Sequence, residues 1–205
     1  MRLIHAESIL RKLGEPLITT SDAAAALAVS RSLASKTLSR LEAEKRAVRL
    51  KRGRWVLVSS DRKKIDPWTL AEHLTTPAPA YISLQTALFY HGMISQIPQI
   101  IYAVSLAPTS KYQTALGTFS IHHLSPNFFF GYELVGKQNI KMAIPEKALL
   151  DLLYLTPTKS RLFAVLPELE LPKSFSKKVA YEFLNRIQSK RRQSLVARRL
   201  EEIMH

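Results

Sequence analysis

Thr19-Thr20-Ser21-Asp22-Ala23-Ala24-Ala25-Ala26-Leu27-Ala28-Val29-Ser30-Arg31-Ser32-Leu33-Ala34-Ser35-Lys36-Thr37-Leu38-Ser39-Arg40-Leu41 reads as two capped helices with a tight turn between them. Thr19 is a good N-cap, and Asp22 three residues on has the spacing of a capping box, with Asp in place of the usual Glu or Gln. The helix it opens, Thr20–Ala28, is rich in alanine and can approach its neighbours closely. Val29-Ser30 makes the turn, and Ser30 is the cap of a second helix running from about Arg31 to Glu44. Ala34, Leu38 and Leu41 recur there at i, i+4 and i+7, which is one buried stripe. Arg31, Ser32, Ser35, Lys36, Ser39 and Arg40 fall on the other face, and the acids Glu42 and Glu44 come only at its far end.

The flanks agree with this reading. Upstream, Leu3, Ala6, Ile9, Leu10 and Leu13 form one face of a helix over 3–13, and Gly14 suits its C-cap. A short extended piece, Pro16-Leu17-Ile18, follows. Downstream, Ala47–Lys51 alternates as a strand, Arg52-Gly53 makes a hairpin turn, and Arg54–Val58 returns. Three helices and then a two-stranded wing is the order of a winged helix-turn-helix. In that arrangement the second helix braces the third, and the third enters the major groove of DNA. Arg31 and Ser32 are then expected near bases or the first phosphate, Ser35 and Lys36 on bases, Ser39 on the same face, and Arg40 on the backbone. Lys51, Arg52 and Arg54 surround one glycine at the hairpin tip and suit phosphate or minor-groove contact.

Charge points the same way. The 205 residues carry 30 Lys+Arg against 16 Asp+Glu, a net +14. The excess sits at the ends: +7 over residues 1–60, +1 over 61–172 and +6 over 173–205. A polyanion, nucleic acid above all, is the expected partner, with a solvated basic surface as the alternative. Hydrophobic residues make up 46% of the chain, enough for packed cores. The absence of cysteine excludes disulfides and cysteine-based zinc sites, and fits the cytoplasm. No apolar run is long enough for a membrane span, and the start lacks the apolar core of a signal peptide.

The expected class is α+β: a winged helix-turn-helix at 1–60, a linker or connecting helix at 61–75, and a mixed α/β domain at 76–205. Asp66 or Thr69 starts a short helix through Leu74, which Thr76-Pro77-Ala78-Pro79 breaks. Ser83 caps a helix over Leu84–His91, closed by Gly92. Strands are expected at Ile100–Leu106, Thr118–Leu124, Tyr132–Val135 and Ile140–Ile144. Pro145 stands at the first position of a helix that is apolar on most faces through Leu155. Two further helices run from Ser174 or Ser176 to Gln188 and from Arg191 to Met204.

Signatures of catalysis are missing. The chain has no phosphate-cradling glycine loop, no His-Glu-x-x-His, no Gly-x-Ser-x-Gly, no Glu-x-Lys triplet and no Asp-x-Asp pair. His122 and His123 are adjacent, which in a strand sends them to opposite faces and makes them poor joint ligands. His91 reads as a helix-end residue. The run Phe128-Phe129-Phe130 could stack on bases, but packing is the expected use. The cations Lys173, Lys177, Lys178, Arg186, Lys190, Arg191, Arg192, Arg198 and Arg199 are either a solvated face or a second nucleic-acid or partner surface. No enzyme, no metal and no cofactor is expected.

Ser83-Leu84-Gln85-Thr86-Ala87-Leu88 with Tyr90-His91-Gly92, and Ile144-Pro145-Glu146-Lys147-Ala148-Leu149-Leu150-Asp151-Leu152, behind a winged helix, resemble the AbiEi-type antitoxin family. The resemblance implies an antitoxin of a type IV toxin–antitoxin operon that represses its own promoter at inverted repeats. It also implies a C-terminal domain that counters a nucleotidyltransferase-like toxin, directly or indirectly. Pro145, Glu146, Lys147 and Asp151 themselves read as helix start and capping charge, with Glu146 or Lys147 facing a partner as the alternative. The protein is then a monomer or weak dimer, and pairing on DNA is one route to two copies. An ordinary repressor of other genes, or an interaction module for an acidic partner, are the competing readings.

Overall fold

The computed structural model describes residues 2–14, 17–58, 66–156 and 168–204. It is a mixed α+β protein with eight α-helices and two sheets among those residues. The chain divides into two compact units, Met1–Ile65 with Tyr112–Gly117, and Asp66–Lys111 with Thr118–His205. Residues 61–65, the start of the expected linker, lie outside the described residues.

In the first unit α1 (Leu3–Arg11), α2 (Thr20–Ala26) and α3 (Arg31–Ala43) pack over a three-stranded antiparallel sheet. Its strands are β1 (Leu17–Thr19), β2 (Ala47–Lys51) and β3 (Arg54–Leu57), in the order β1-β3-β2. The core collects Ala6 and Leu10 of α1, Ala23 and Ala24 of α2, Ala34, Leu38 and Leu41 of α3, and Trp55 and Leu57 of β3. Alanines at four of these positions let the helices lie close together. The buried Trp55 satisfies its indole by donating to Thr20 Oγ1 at 3.1 Å. Two helices end earlier than their patterns suggest. Residues 12–13 form a turn before Gly14 (φ +75°), and Ala28 takes φ +52°, which closes α2. Such left-handed residues release the chain from the helix.

Residues 112–117 of β6 and β7 apart, the second unit holds a six-stranded sheet in the order β6-β7-β5-β4-β9-β8. The strands are β4 (Ala80–Ile82), β5 (Ile101–Ser105), β6 (Ser110–Thr114), β7 (Gly117–His123), β8 (Tyr132–Val135) and β9 (Ile140–Ala143). β4 pairs antiparallel with β5 and parallel with β9, β5 pairs parallel with β7, and β8 antiparallel with β9. Helices α4 (Leu70–Thr75), α5 (Leu84–Tyr90), α6 (Pro145–Leu155), α7 (Lys177–Leu184) and α8 (Lys190–Met204) complete it. α6 is its centre: nine of its eleven residues are buried, and it touches α5, α7 and α8. A helix buried on most of its faces needs apolar residues around most of its circumference, and Ala148–Leu150 with Leu152, Leu153 and Leu155 supply them, Asp151 being the buried polar exception. Leu70 and Leu74 of α4 are fully buried, and residues 66–75 belong to this unit.

No described helix is long and apolar enough to cross a membrane.

Candidate nucleic-acid interface

The turn between α2 and α3 is held by its caps. Thr19 Oγ1 accepts from the Asp22 amide at 3.1 Å, and Asp22 Oδ2 accepts from the Thr19 amide at 2.8 Å, so the box is closed. Ser30 Oγ accepts from the Leu33 amide at 3.3 Å and starts α3. With Ala34, Leu38 and Leu41 at zero exposure, the roll of α3 about its axis is set. Arg31, Ser32, Lys36, Ser39 and Arg40 are then exposed and Ser35 is half-buried at the edge of the face.

The hairpin is tied to the helices by backbone bonds that no sequence pattern announces. The Thr20 amide donates to Gly53 O at 3.0 Å, fixing the β2–β3 tip to the start of α2. Gly53 has φ +76°, which a glycine adopts without strain. Glu42 Oε1 accepts from the Arg49 amide at 3.0 Å, joining the end of α3 to β2. At the tip Arg52 is exposed, Lys51 and Arg54 are half-buried, and these last two are Cα partners across the ladder.

The unit sorts its cations into two sets. Glu7, itself buried, binds Arg11 through Nε at 2.8 Å and Arg46 at 2.9 Å, and Arg46 also lies 3.6 Å from Glu44. Arg49 lies over the Trp55 ring at 5.5 Å. These three serve the fold. Among the described residues, Arg31, Lys36, Arg40, Arg52 and Arg54 enter no ion pair. The acids near them are already engaged, Asp22 in its box and Glu42 on a backbone amide. Burial first, and then the Arg54 charge, hold the Lys51 ammonium below its usual range. The arrangement is a cationic, hydroxyl-bearing helix face together with a hairpin tip whose like charges oppose each other. An anion placed beside such a concentration of positive charge is attracted to it.

Two residues of α3 lie outside the expected set. Leu33 is 50% exposed, and Thr37 donates its hydroxyl back to Leu33 O at 2.9 Å. Leu33 stands one position before the buried Ala34, so its place off the apolar stripe was visible in the periodicity.

The second unit holds a buried polar cluster. Asp151 on α6 is fully buried; its Oδ2 accepts from Ser83 Oγ at 2.7 Å and Tyr81 Oη at 3.0 Å. Its Oδ1 takes the Lys147 ammonium, also fully buried, which lies 3.8 Å from the Phe128 ring centre and 5.1 Å from that of Phe130. Burial lowers the Lys147 pKa and raises that of Asp151, and each partner's charge opposes the shift of the other. These residues are therefore core groups and not the capping charges their position near the start of α6 suggested. Helix α6 is covered on the side where Lys147 and Asp151 lie one turn apart. Glu146 does serve a helix start, that of α7, by accepting from the Ser176 amide at 2.6 Å.

The phenylalanine run is used in packing. Phe128 stacks on Tyr154 at 4.6 Å, Phe129 meets Tyr81 at 4.9 Å and Phe130 meets Phe183 at 4.9 Å. Two of the C-terminal cations join it, Arg186 over Phe130 at 4.2 Å and Arg192 over Tyr154 at 4.6 Å. Lys177, Lys178, Lys190, Arg191 and Arg198 are exposed. His122 is buried and His123 exposed, on opposite faces of β7. Among the described residues no three acids or histidines gather in a way that could hold a metal ion.

No family model matches the chain, and no curated protein matches it.

Proposed function

We propose that the first unit is a winged helix-turn-helix and that the protein is a sequence-selective DNA-binding regulator acting by binding alone. The observation that carries this reading is the sorting of cations. Among the described residues, Arg31, Lys36 and Arg40 on the outer face of α3, and Arg52 and Arg54 at the β2–β3 tip, stay outside internal ion pairs, while Arg11, Arg46 and Arg49 are spent inside the unit. In this reading α3 enters the major groove. Arg31, Ser32, Ser35, Lys36 and Ser39 face base edges or the first phosphate, and Arg40, Lys51, Arg52 and Arg54 neutralise the backbone.

The resemblance of residues 83–92 and 144–152 to AbiEi-type antitoxins extends the reading. The protein then represses its own operon at inverted repeats and counters a nucleotidyltransferase-like toxin. The matching residues build the α5–α6 core, so what they support is a shared second domain, and the toxin-facing surface lies elsewhere on it.

A gel-shift titration tests the first half. Wild type and an Arg31→Ala/Lys36→Ala variant are titrated against the upstream DNA and a scrambled duplex at two salt concentrations. Wild type is expected to prefer its own DNA, and the variant to lose that preference. Equal binding of both proteins to both duplexes overturns the assignment of α3. Co-expression with the neighbouring gene product tests the second half, and failure to restore growth overturns it.

A further inference from the structure

Leu33 is the single large apolar side chain on the outer face of α3, and the fold gives no account of it. It occupies the third helical position after the cap Ser30. In α2 the equivalent position holds Asp22, whose carboxylate closes the capping box. In α3 the box is left half-made, with the Ser30 bond present and a leucine where the reciprocal acceptor would stand. A carboxylate there would repel phosphate; leucine removes that charge and puts half its surface into solvent. One turn on, Thr37 has turned its hydroxyl to the Leu33 carbonyl, so the Leu33–Thr37 ridge presents no free hydroxyl donor beside the face bearing Lys36 and Arg40.

The remaining groups on that face read hydrogen-bonding edges. Serine hydroxyls donate or accept, and so tolerate several bases, while Arg and Lys favour guanine. An apolar side chain distinguishes one feature that hydrogen bonds cannot, the 5-methyl group of thymine, which stands on the major-groove edge.

We propose that Leu33 is a specificity-determining contact that reads a thymine 5-methyl group in the major groove. This rests on the reading of α3 as the recognition helix. The contact separates thymine from cytosine, which lacks the methyl, at one position of each half-site.

The test uses the full chain and the tightest duplex it selects from a randomised pool, so it does not depend on which operon is controlled. Each thymine of that duplex is replaced in turn by deoxyuridine, which removes only the methyl. Wild type is expected to lose about fourfold in affinity at one thymine per half-site, the effect of one methyl withdrawn from an apolar contact. Leu33→Ala is expected to bind the thymine and uracil duplexes alike, and Leu33→Met to keep most of the difference. Both variants are checked for an unchanged melting temperature. An unchanged thymine-to-uracil ratio in Leu33→Ala overturns the assignment, as does a wild type that selects a sequence yet ignores every methyl; either outcome leaves the interface standing. A wild type that selects no sequence overturns the interface and Leu33 with it.

Discussion

Lys51 and Arg54 face each other across the β2–β3 ladder, two cations paired as Cα partners where the register shifts after Arg49. Directly opposed like charges weaken a strand pair. Replacing either with glutamine removes that repulsion. The expected outcome is an unfolding midpoint that does not fall, together with a DNA affinity that does. Each lost phosphate contact should flatten the slope of log K against log salt by about 0.9. Titrations of Lys51→Gln and Arg54→Gln at four salt concentrations check this, and slopes equal to wild type would remove both residues from the interface.

A different kind of charge pair sits in the second unit. Lys147 and Asp151 are both fully buried, and their relief from desolvation comes from each other, the Tyr81 and Ser83 hydroxyls and the surrounding rings. Lys147→Met strands a carboxylate, and Asp151→Asn strands an ammonium while leaving the two hydroxyls an acceptor. Each single change is expected to cost about 3–5 kcal/mol. The double variant should cost less than the sum, because neither charge is then left alone. Urea unfolding of the four proteins measures the coupling, and simple additivity would mean the pair contributes nothing as a pair.

Gly131 explains how that ammonium is held in place. A Cβ built on it would lie 3.0 Å from Lys147 Cγ and 3.2 Å from Cδ, and its φ is +74°. Gly136 shares the backbone conformation, at φ +67°, but has open space around it. Gly136→Ala should therefore cost only the conformational penalty, about 1 kcal/mol. Gly131→Ala should cost clearly more, because a lysine stem locked between aromatic rings cannot give way. Thermal melts of the two variants make the comparison, and equal losses would show that the Lys147 side chain shifts freely.

Legibility in the sequence tracked punctuation. Thr19, Ser30, Gly53 and Pro145 each mark an element boundary by a local physical rule, and α2, α3, the hairpin and α6 lie where those residues place them. β4 and β6 carried no such signal. Ala80–Ile82 is three residues long and buried throughout, so it shows no alternation, and Ser110-Lys111-Tyr112-Gln113-Thr114 is a largely polar strand at the sheet edge. The outward face of α3 followed from its buried stripe. The bond from Thr20 to Gly53, and the approach of Tyr81 and Ser83 to Asp151 from 70 and 68 residues away, are tertiary events that periodicity does not encode.

His122 shows the same limit, and it has a measurable consequence. Alternation along β7 places it inward, but its environment comes from the fold. The ring lies 6.3 Å from Tyr102 in a stacked arrangement, and Nε2 is 2.9 Å from Ser120 Oγ. Burial lowers its pKa from 6.5 to about 4. In the unfolded chain the imidazole protonates near its ordinary value, so between those two values the unfolded state binds more protons than the folded one. Stability then rises with pH across that window. The contribution is fully present above about pH 6.5 and is lost as pH falls towards 4. A tenfold difference in proton affinity between the two states corresponds to roughly 1.4 kcal/mol, so the loss between about pH 7 and about pH 4.5 is on the order of 2 kcal/mol. His122→Asn keeps a polar partner for Ser120 but cannot take up a proton. Its stability should therefore fall less steeply over that range, while acids and lysines common to both proteins cancel in the comparison. Urea unfolding of the two proteins at pH 7, 6, 5 and 4.5 checks this. Parallel curves would mean that His122 protonates in the folded state near its ordinary pKa, and that the packing around β7 admits the charge.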